Sequence, residues 1–187
     1  MKLFGTYTAV VTPFTASGAI DWPAYERVLA DQFAGGITGI VPCGTTGESP
    51  TLTNDEQREV IARTVAAAKG KAQGIAGAGS SSTAHAADLA KQAVQAGVDA
   101  VMVVVPYYNK PTQEGLVRHF VSVAKSVACP IVVYNIPGRS GVDLGVDAMA
   151  RILDEAPNVV ATKEATGNVM RAQQLAARFG DRLTILS

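Results

Sequence analysis

Val159–Gly167 reads VVATKEATG and sets Lys163 at the end of an apolar run, just before a Glu-Ala-Thr-Gly turn. On strand alternation Val159, Ala161 and Lys163 share one face, and Val160, Thr162 and Glu164 share the other. An ammonium held among Val and Ala loses hydration, which lowers its pKa. A neutral amine near pH 7 is a nucleophile that can condense with a ketone to a Schiff base. The competing reading is a strand-end lysine that reaches out to solvent. Tyr134 lies near the end of the preceding strand-like run, Pro130–Ile136 (PIVVYNI). Adjacent strands lie ~4.8 Å apart. If these two pair, a phenol stands beside the amine and can shuttle protons as a carbinolamine becomes an imine and an imine an enamine. A structural tyrosine at a strand end is the plainer alternative.

Gly44-Thr45-Thr46-Gly47 offers backbone N–H groups and two hydroxyls at another strand end. Such a turn can hold a carboxylate in a nest of donors. It lacks the Gly-Lys-Ser/Thr ending of a nucleotide P-loop, so phosphate is a poor candidate, and a plain glycine-rich turn competes. Arg139 sits in a loop between glycines, Gly138 and Gly141, and can present a bidentate fork to a second carboxylate. An ordinary solvated arginine fits the local sequence equally. Tyr107 and Tyr108 follow the AVMVVV run in PYYN, a place for an interface or a substrate wall. His85 and His119 fall on helices away from strand ends and read as non-catalytic. Neither they nor Cys43 and Cys129 have metal-ligand spacing, so no metal is expected. The two cysteines sit in apolar contexts and read as buried free thiols, which points to a cytosolic chain.

The elements that must position these groups alternate along the sequence. Strand patterns cover Gly5–Phe14, Gly39–Cys43, Gln73–Ala78, Ala100–Val105, Pro130–Ile136, Val159–Lys163 and Leu183–Leu186. Between them run amphipathic helices. Asp21 caps one that ends near Gly35, Thr53-Asn54-Asp55-Glu56 forms a capping box, and Ser82 or a neighbour opens a third that stops at Gly97. Thr112 opens the fourth, the fifth covers about Val146–Glu155, and Asn168 caps the sixth. Short strand then helix, repeated, implies a parallel sheet. No Gly-x-Gly-x-x-Gly follows the first strand, which disfavours a dinucleotide-binding sheet. The special residues all gather after strands, the distribution of a (β/α)8 TIM barrel. Seven strands and six helices are present, whereas a full barrel has an eighth strand, further helices and commonly ~250 residues. The sequence therefore predicts one α/β barrel domain over residues 1–187, truncated after strand seven, without the eighth strand and C-terminal helices. An unpaired strand-seven edge would then threaten stability, assembly and activity.

Composition agrees with a packed core and excludes other classes. Of 187 residues 48% are hydrophobic, too many for a disordered chain. A formal net charge of zero gives no reason to expect nucleic acid or an anionic membrane as partner. No apolar run approaches the ~20 residues of a membrane span, and the N-terminus MKLFGTYTAVVTPF lacks a signal-peptide layout.

Taken together, GTYTAVVTPF, GTTGESPTL, PYYNKPTQEGL, YNIPGRSG and TKEATG, in this order over the whole chain, closely resemble the dihydrodipicolinate synthase family of the N-acetylneuraminate lyase superfamily. The resemblance implies a Schiff base between Lys163 and pyruvate, with no other cofactor. It implies a proton relay of Tyr134, Thr45 and Tyr108, the last donated by a neighbouring subunit. Thr45 and Thr46 would hold the pyruvate carboxylate, and Arg139 the carboxylate of L-aspartate 4-semialdehyde. The implied reaction condenses these two substrates to 4-hydroxy-tetrahydrodipicolinate, on the lysine and diaminopimelate route, in a cytoplasmic homotetramer built from dimers. Sister pyruvate aldolases (neuraminate lyases, keto-deoxy sugar-acid aldolases) share the lysine and tyrosine but tend to differ where GRSG stands. An inactive fragment that keeps the residues is the non-catalytic alternative. Lysine-inhibited members use His residues after GTTGE and a Glu early in the third helix. Here the corresponding positions read Asn54, Gln57 and His85, with Ser81 where Asn is usual and Tyr107 retained, so inhibition by lysine is expected to be weak or absent.

Overall fold

The computed structural model describes residues 3–187. They fall into two compact units. One comprises Gly5–Gly77 and Gln92–Asp99, the other Leu3 and Phe4, Ala78–Lys91 and Ala100–Ser187.

The first unit carries β1 (Tyr7–Ala9), α1 (Trp22–Ala34), β2 (Gly39–Val41), α2 (Asn54–Ala68) and β3 (Gln73–Gly77). Its strands pair in parallel and in chain order, Tyr7 opposite Gly39 and Gly39 opposite Gln73. Both helices start where the sequence predicts. The Asp21 side chain accepts from Ala24 N, and Thr53 and Glu56 close a reciprocal capping box. Tyr25, Leu29, Val60 and Ile61 bury the facing sides. The Tyr25 hydroxyl lies 2.6 Å from Thr64 Oγ1, which gives a buried phenol its partner. β1 is shorter than the expected Gly5–Phe14. Pro13 has no N–H for a ladder, and the chain turns back on itself through Thr15 N to Ala19 O (2.8 Å) and a Phe14–Ile20 bridge.

The second unit carries β4 (Ala100–Val104), α4 (Gln113–Lys125), β5 (Ile131–Asn135), α5 (Pro137–Ser140), α6 (Val146–Glu155), β6 (Val159–Glu164), α7 (Val169–Phe179) and β7 (Thr184–Leu186). α3 (Thr83–Gln95) begins in this unit and ends in the other. The strands again run parallel in chain order. β5 is buried along its whole length, as its apolar run requires. Thr112 and Asn168 cap α4 and α7 as expected. The loop expected around Arg139 is instead the one-turn helix α5. Pro137 presets φ at its first turn, and Ser140 Oγ returns a bond to Ile136 O at 2.9 Å. Gly141 ends it at φ 73°, where only glycine sits without strain.

His119 on α4 is buried, with Nδ1 2.9 Å from Thr83 Oγ1 and its ring edge-on to Phe120. Nε2 has no hydrogen-bond partner among the described residues, so the neutral ring is held in an apolar setting. Burial pushes its pKa down from 6.5 to about 4. The unfolded chain therefore binds the extra proton between these two values and the folded chain does not. This contribution to stability is complete above pH ~6.5 and is lost as pH falls toward 4, by up to about 3 kcal/mol. Urea unfolding across this window should show that loss, and His119→Leu should flatten it. An equal slope in both proteins would contradict the assignment.

Candidate active site

The site begins with a register, and the register contains an irregularity. Along β5 and β6 the ladder opens with Ile131 opposite Val159, then skips Val160 so that Val132 faces Ala161. From there Val133 meets Thr162, Tyr134 meets Lys163 and Asn135 meets Glu164. Had the opening register continued, Tyr134 would lie opposite Thr162, and Lys163 opposite Asn135. A shift of one residue exchanges the two faces of a strand. The extra residue at Val160 is thus what puts the amine and the phenol on the same face. Such bulges are rare between parallel strands and recur beside active sites, where they re-aim a side chain.

The outcome is an amine stacked on a ring. Lys163 Nζ lies 4.3 Å from the centroid of the Tyr134 ring. Tyr134 is buried and Lys163 half-buried. Burial lowers the Lys163 pKa, and the positive charge of Arg139 lowers it further. The ring face favours the ammonium, but loss of hydration and the guanidinium act against it more strongly. Arg139 itself is exposed on α5, so its fork is open to a ligand.

Tyr108 is reached by another departure from regular backbone. Its φ is 71°, and Asn109 N donates to Tyr107 O at 2.9 Å, a three-residue γ-turn of the rare, strained kind. Tyr108 N donates to Ser140 O at 3.3 Å, which ties this loop to α5. The side chain is thrust outward and is 92% exposed, whereas Tyr107 is half-buried. Within its unit the structure brings Lys163 and Tyr134 together, while the Tyr108 ring stands in solvent.

Thr45 and Thr46 belong to the other unit. There Gly47 N and Ser49 N donate to Gly44 O, and Glu48 N donates to Thr45 O, closing the turn. The N–H groups of Thr45 and Thr46 find no acceptor among the described residues, and both side chains are exposed at the crest. Thr12, which the sequence did not single out, anchors the turn from below, donating from Oγ1 to Gly47 O at 2.8 Å. A Cβ on Gly47 would come within 2.9 Å of Val10 O, so this close approach requires glycine. Cys43 precedes the turn as a buried free thiol whose pKa burial raises to about 12, which keeps it unreactive. Cys129 is half-buried rather than buried, because it lies in the segment between α4 and β5.

A buried polar cluster also escaped the sequence reading. Asn135 Nδ2 donates to Asp143 Oδ1 (2.8 Å) and toward both Glu164 oxygens (3.4 and 3.3 Å). Asn135 Oδ1 accepts from Leu144 N, and Glu164 Oε1 accepts from Thr166 N. Arg171 from α7 approaches Glu164 and Asp143 at 3.8 and 3.9 Å and donates to Leu144 O. The only sequence signal was an Asn and a Glu at the ends of otherwise apolar strands. Among the described residues no group of three or more His, Cys, Asp or Glu side chains could hold a metal ion, and no helix is long and apolar enough to cross a membrane.

The Dihydrodipicolinate synthetase family model matches residues 2–187. The chain belongs to that family. It is 54% identical to a 4-hydroxy-tetrahydrodipicolinate synthase from Sorangium cellulosum, over 100% of this chain and 62% of the relative. The synthase structure from Methylacidiphilum fumariolicum superposes on all of it with a TM-score of 0.96 and 48% identity, using 62% of that protein. A chloride-inhibited dihydrodipicolinate synthase from Acinetobacter baumannii, complexed with pyruvate, matches 97% of the chain at a TM-score of 0.94 and 41% identity, again over 62% of its length. The fold class read from the sequence, a (β/α)8 barrel carried to strand seven, is borne out by these superpositions. The chain spans 62% of the length of these synthases.

Because Arg139 adds to the lowering of the Lys163 pKa, Arg139→Gln should move it back toward 10.5. Amine-selective labelling against pH, read peptide by peptide, should place the Lys163 midpoint below the ordinary 10.5 and raise it in the variant. A Lys163 midpoint at the ordinary 10.5 would show that the amine is fully hydrated.

Proposed function

We infer that the chain is the substrate-binding and catalytic part of a 4-hydroxy-tetrahydrodipicolinate synthase, one barrel domain condensing pyruvate with L-aspartate 4-semialdehyde. The observation that carries the reading is Lys163, half-buried, with its pKa lowered and its Nζ 4.3 Å from the Tyr134 ring centroid. The neutral amine attacks C2 of pyruvate, and the carbinolamine expels water to leave an imine on Lys163. The imine withdraws electrons from the methyl group, which gives up a proton and becomes an enamine carbon. That carbon attacks the aldehyde, forming the new C–C bond while the aldehyde oxygen takes up a proton. The substrate amine then adds at the imine carbon and releases Lys163. No external cofactor enters this sequence.

The other residues follow from their chemistry. Tyr134, with Thr45 and with Tyr108 of a neighbouring subunit, relays the protons. The free N–H groups and hydroxyls at Thr45 and Thr46 suit the pyruvate carboxylate, and the exposed Arg139 fork suits the carboxylate of the aldehyde substrate. The Acinetobacter relative complexed with pyruvate supports the first substrate. Tyr108, held outward and 92% exposed, supports assembly with further copies, which we read as a cytoplasmic homotetramer.

Pyruvate with borohydride should add a reduced adduct to the peptide containing Lys163, and Lys163→Ala should abolish it. Intact-mass and peptide mass spectrometry of the 187-residue chain reads both results. No adduct in the folded chain would sink the reading in favour of an inactive one.

Gln57 is buried and occupied by its bond to Ser49 O at 2.9 Å, a poor lysine ligand, and Asn54 and His85 stand where inhibited relatives differ. Millimolar lysine should leave the rate of adduct formation within about twofold, and strong suppression would contradict this.

A further inference from the structure

The β5–β6 bulge creates a difficulty that the strands alone do not resolve. Two registers of this ladder differ by one residue, and only the shifted one presents Lys163 to Tyr134. Apolar side chains along β5 and β6 can pack in either alignment, and weakly specified registers slip. Something downstream of the bulge must select between them.

We propose that Glu164, acting with Asn135 and Arg171, is a positioning residue that locks the shifted register and thereby holds Lys163 over Tyr134. Asn135 and Glu164 each follow one of the reactive residues and pair across the same two strands. They occupy the opposite face, so they can touch neither the amine nor a substrate bound to it. The contact between them exists only in the shifted register. Asn135 Nδ2 reaches Glu164 at 3.3 and 3.4 Å because the two stand opposite each other. The unshifted register would put Lys163 opposite Asn135 and carry Glu164 one residue beyond it. Both residues are buried, at 1% and 7% exposure. A slip would take the buried Glu164 carboxylate away from its Asn135 donor, and a buried carboxylate that loses a donor is costly. Two further bonds fix the chain beyond the strands. Thr166 N donates to Glu164 Oε1 at 3.1 Å, and Leu144 N donates to Asn135 Oδ1 at 3.1 Å. Arg171, 3.8 Å from Glu164 Oε2 and with its side chain 14% exposed, supplies the countercharge from α7. Well-packed apolar residues often stabilise a core as well as a buried ion pair does. A polar cluster kept here, one residue past each reactive side chain, has alignment as its use.

This inference rests on the imine reading above, and its test has one readout that does not. Glu164→Ala, Asn135→Ser and Glu164→Gln are compared with the unaltered chain by circular dichroism, by pyruvate–borohydride trapping and by the pH midpoint of amine labelling at Lys163. The Gln side chain can still accept from Asn135 and Thr166. Glu164→Ala and Asn135→Ser should remain folded, trap at least about 100-fold more slowly, and show a raised Lys163 midpoint as the amine leaves its half-buried seat. Glu164→Gln should restore trapping to within about tenfold and return the midpoint. An unchanged midpoint in either folded variant would overturn the proposal. So would loss of fold in both, which would make the cluster an ordinary core element. A shifted midpoint without any adduct in the unaltered chain would leave the positioning role standing and remove the imine.

Discussion

The candidate chemistry depends on one backbone constraint, the residue skipped at Val160. Side-chain direction in a strand is binary. An amine and a phenol on neighbouring strands therefore either share a face or are separated by the sheet. The bulge decides that choice for Lys163 and Tyr134. Everything that follows, the contact at 4.3 Å, the partial burial and the effect of Arg139, presupposes the shared face. Polar groups on the far side of the same strand ends then hold the arrangement against slippage.

Hydration is the second organising quantity. Lys163 keeps enough water to reach its protons yet has lost enough to weaken its charge. Cys43 shows the other extreme: a nucleophile by composition, but buried so that its reactive anion is suppressed. Burial of different depth thus separates two potential nucleophiles, easing the loss of a proton from one and opposing it in the other.

Much of this was legible in the residues. Helix starts followed from Asp21, Thr53, Thr112 and Asn168, because a cap is a local bond between near neighbours. Parallel strand order followed from the alternation of element types, and the pairing of Lys163 with Tyr134 was anticipated. Its cause was not. Alternation along VVATKE is compatible with either register, since a bulge is chosen by contacts between strands rather than by composition. The Asn135–Glu164–Arg171 cluster was missed for the same reason: its members are far apart in sequence and unremarkable singly. The one-turn helix α5 reads as loop in the sequence because a proline and two glycines dominate the five residues Pro137–Gly141. β1 is shorter than its apolar pattern suggests because Pro13, which lacks an N–H, stops the ladder earlier than the pattern ends.

The backbone at Tyr108 carries a cost of its own. A residue with a side chain at φ 71° in a γ-turn is disfavoured by about 1–3 kcal/mol. Leaving its ring in water forgoes a gain of roughly similar size, since burial of a large side chain is worth about 1.5–3 kcal/mol. In the assembly inferred above, docking that ring in a neighbour would offset the distortion, and a lone protomer would keep the local strain. Catalytic competence in such a system would then fade on dilution, as an enzyme whose specific activity depends on its own concentration.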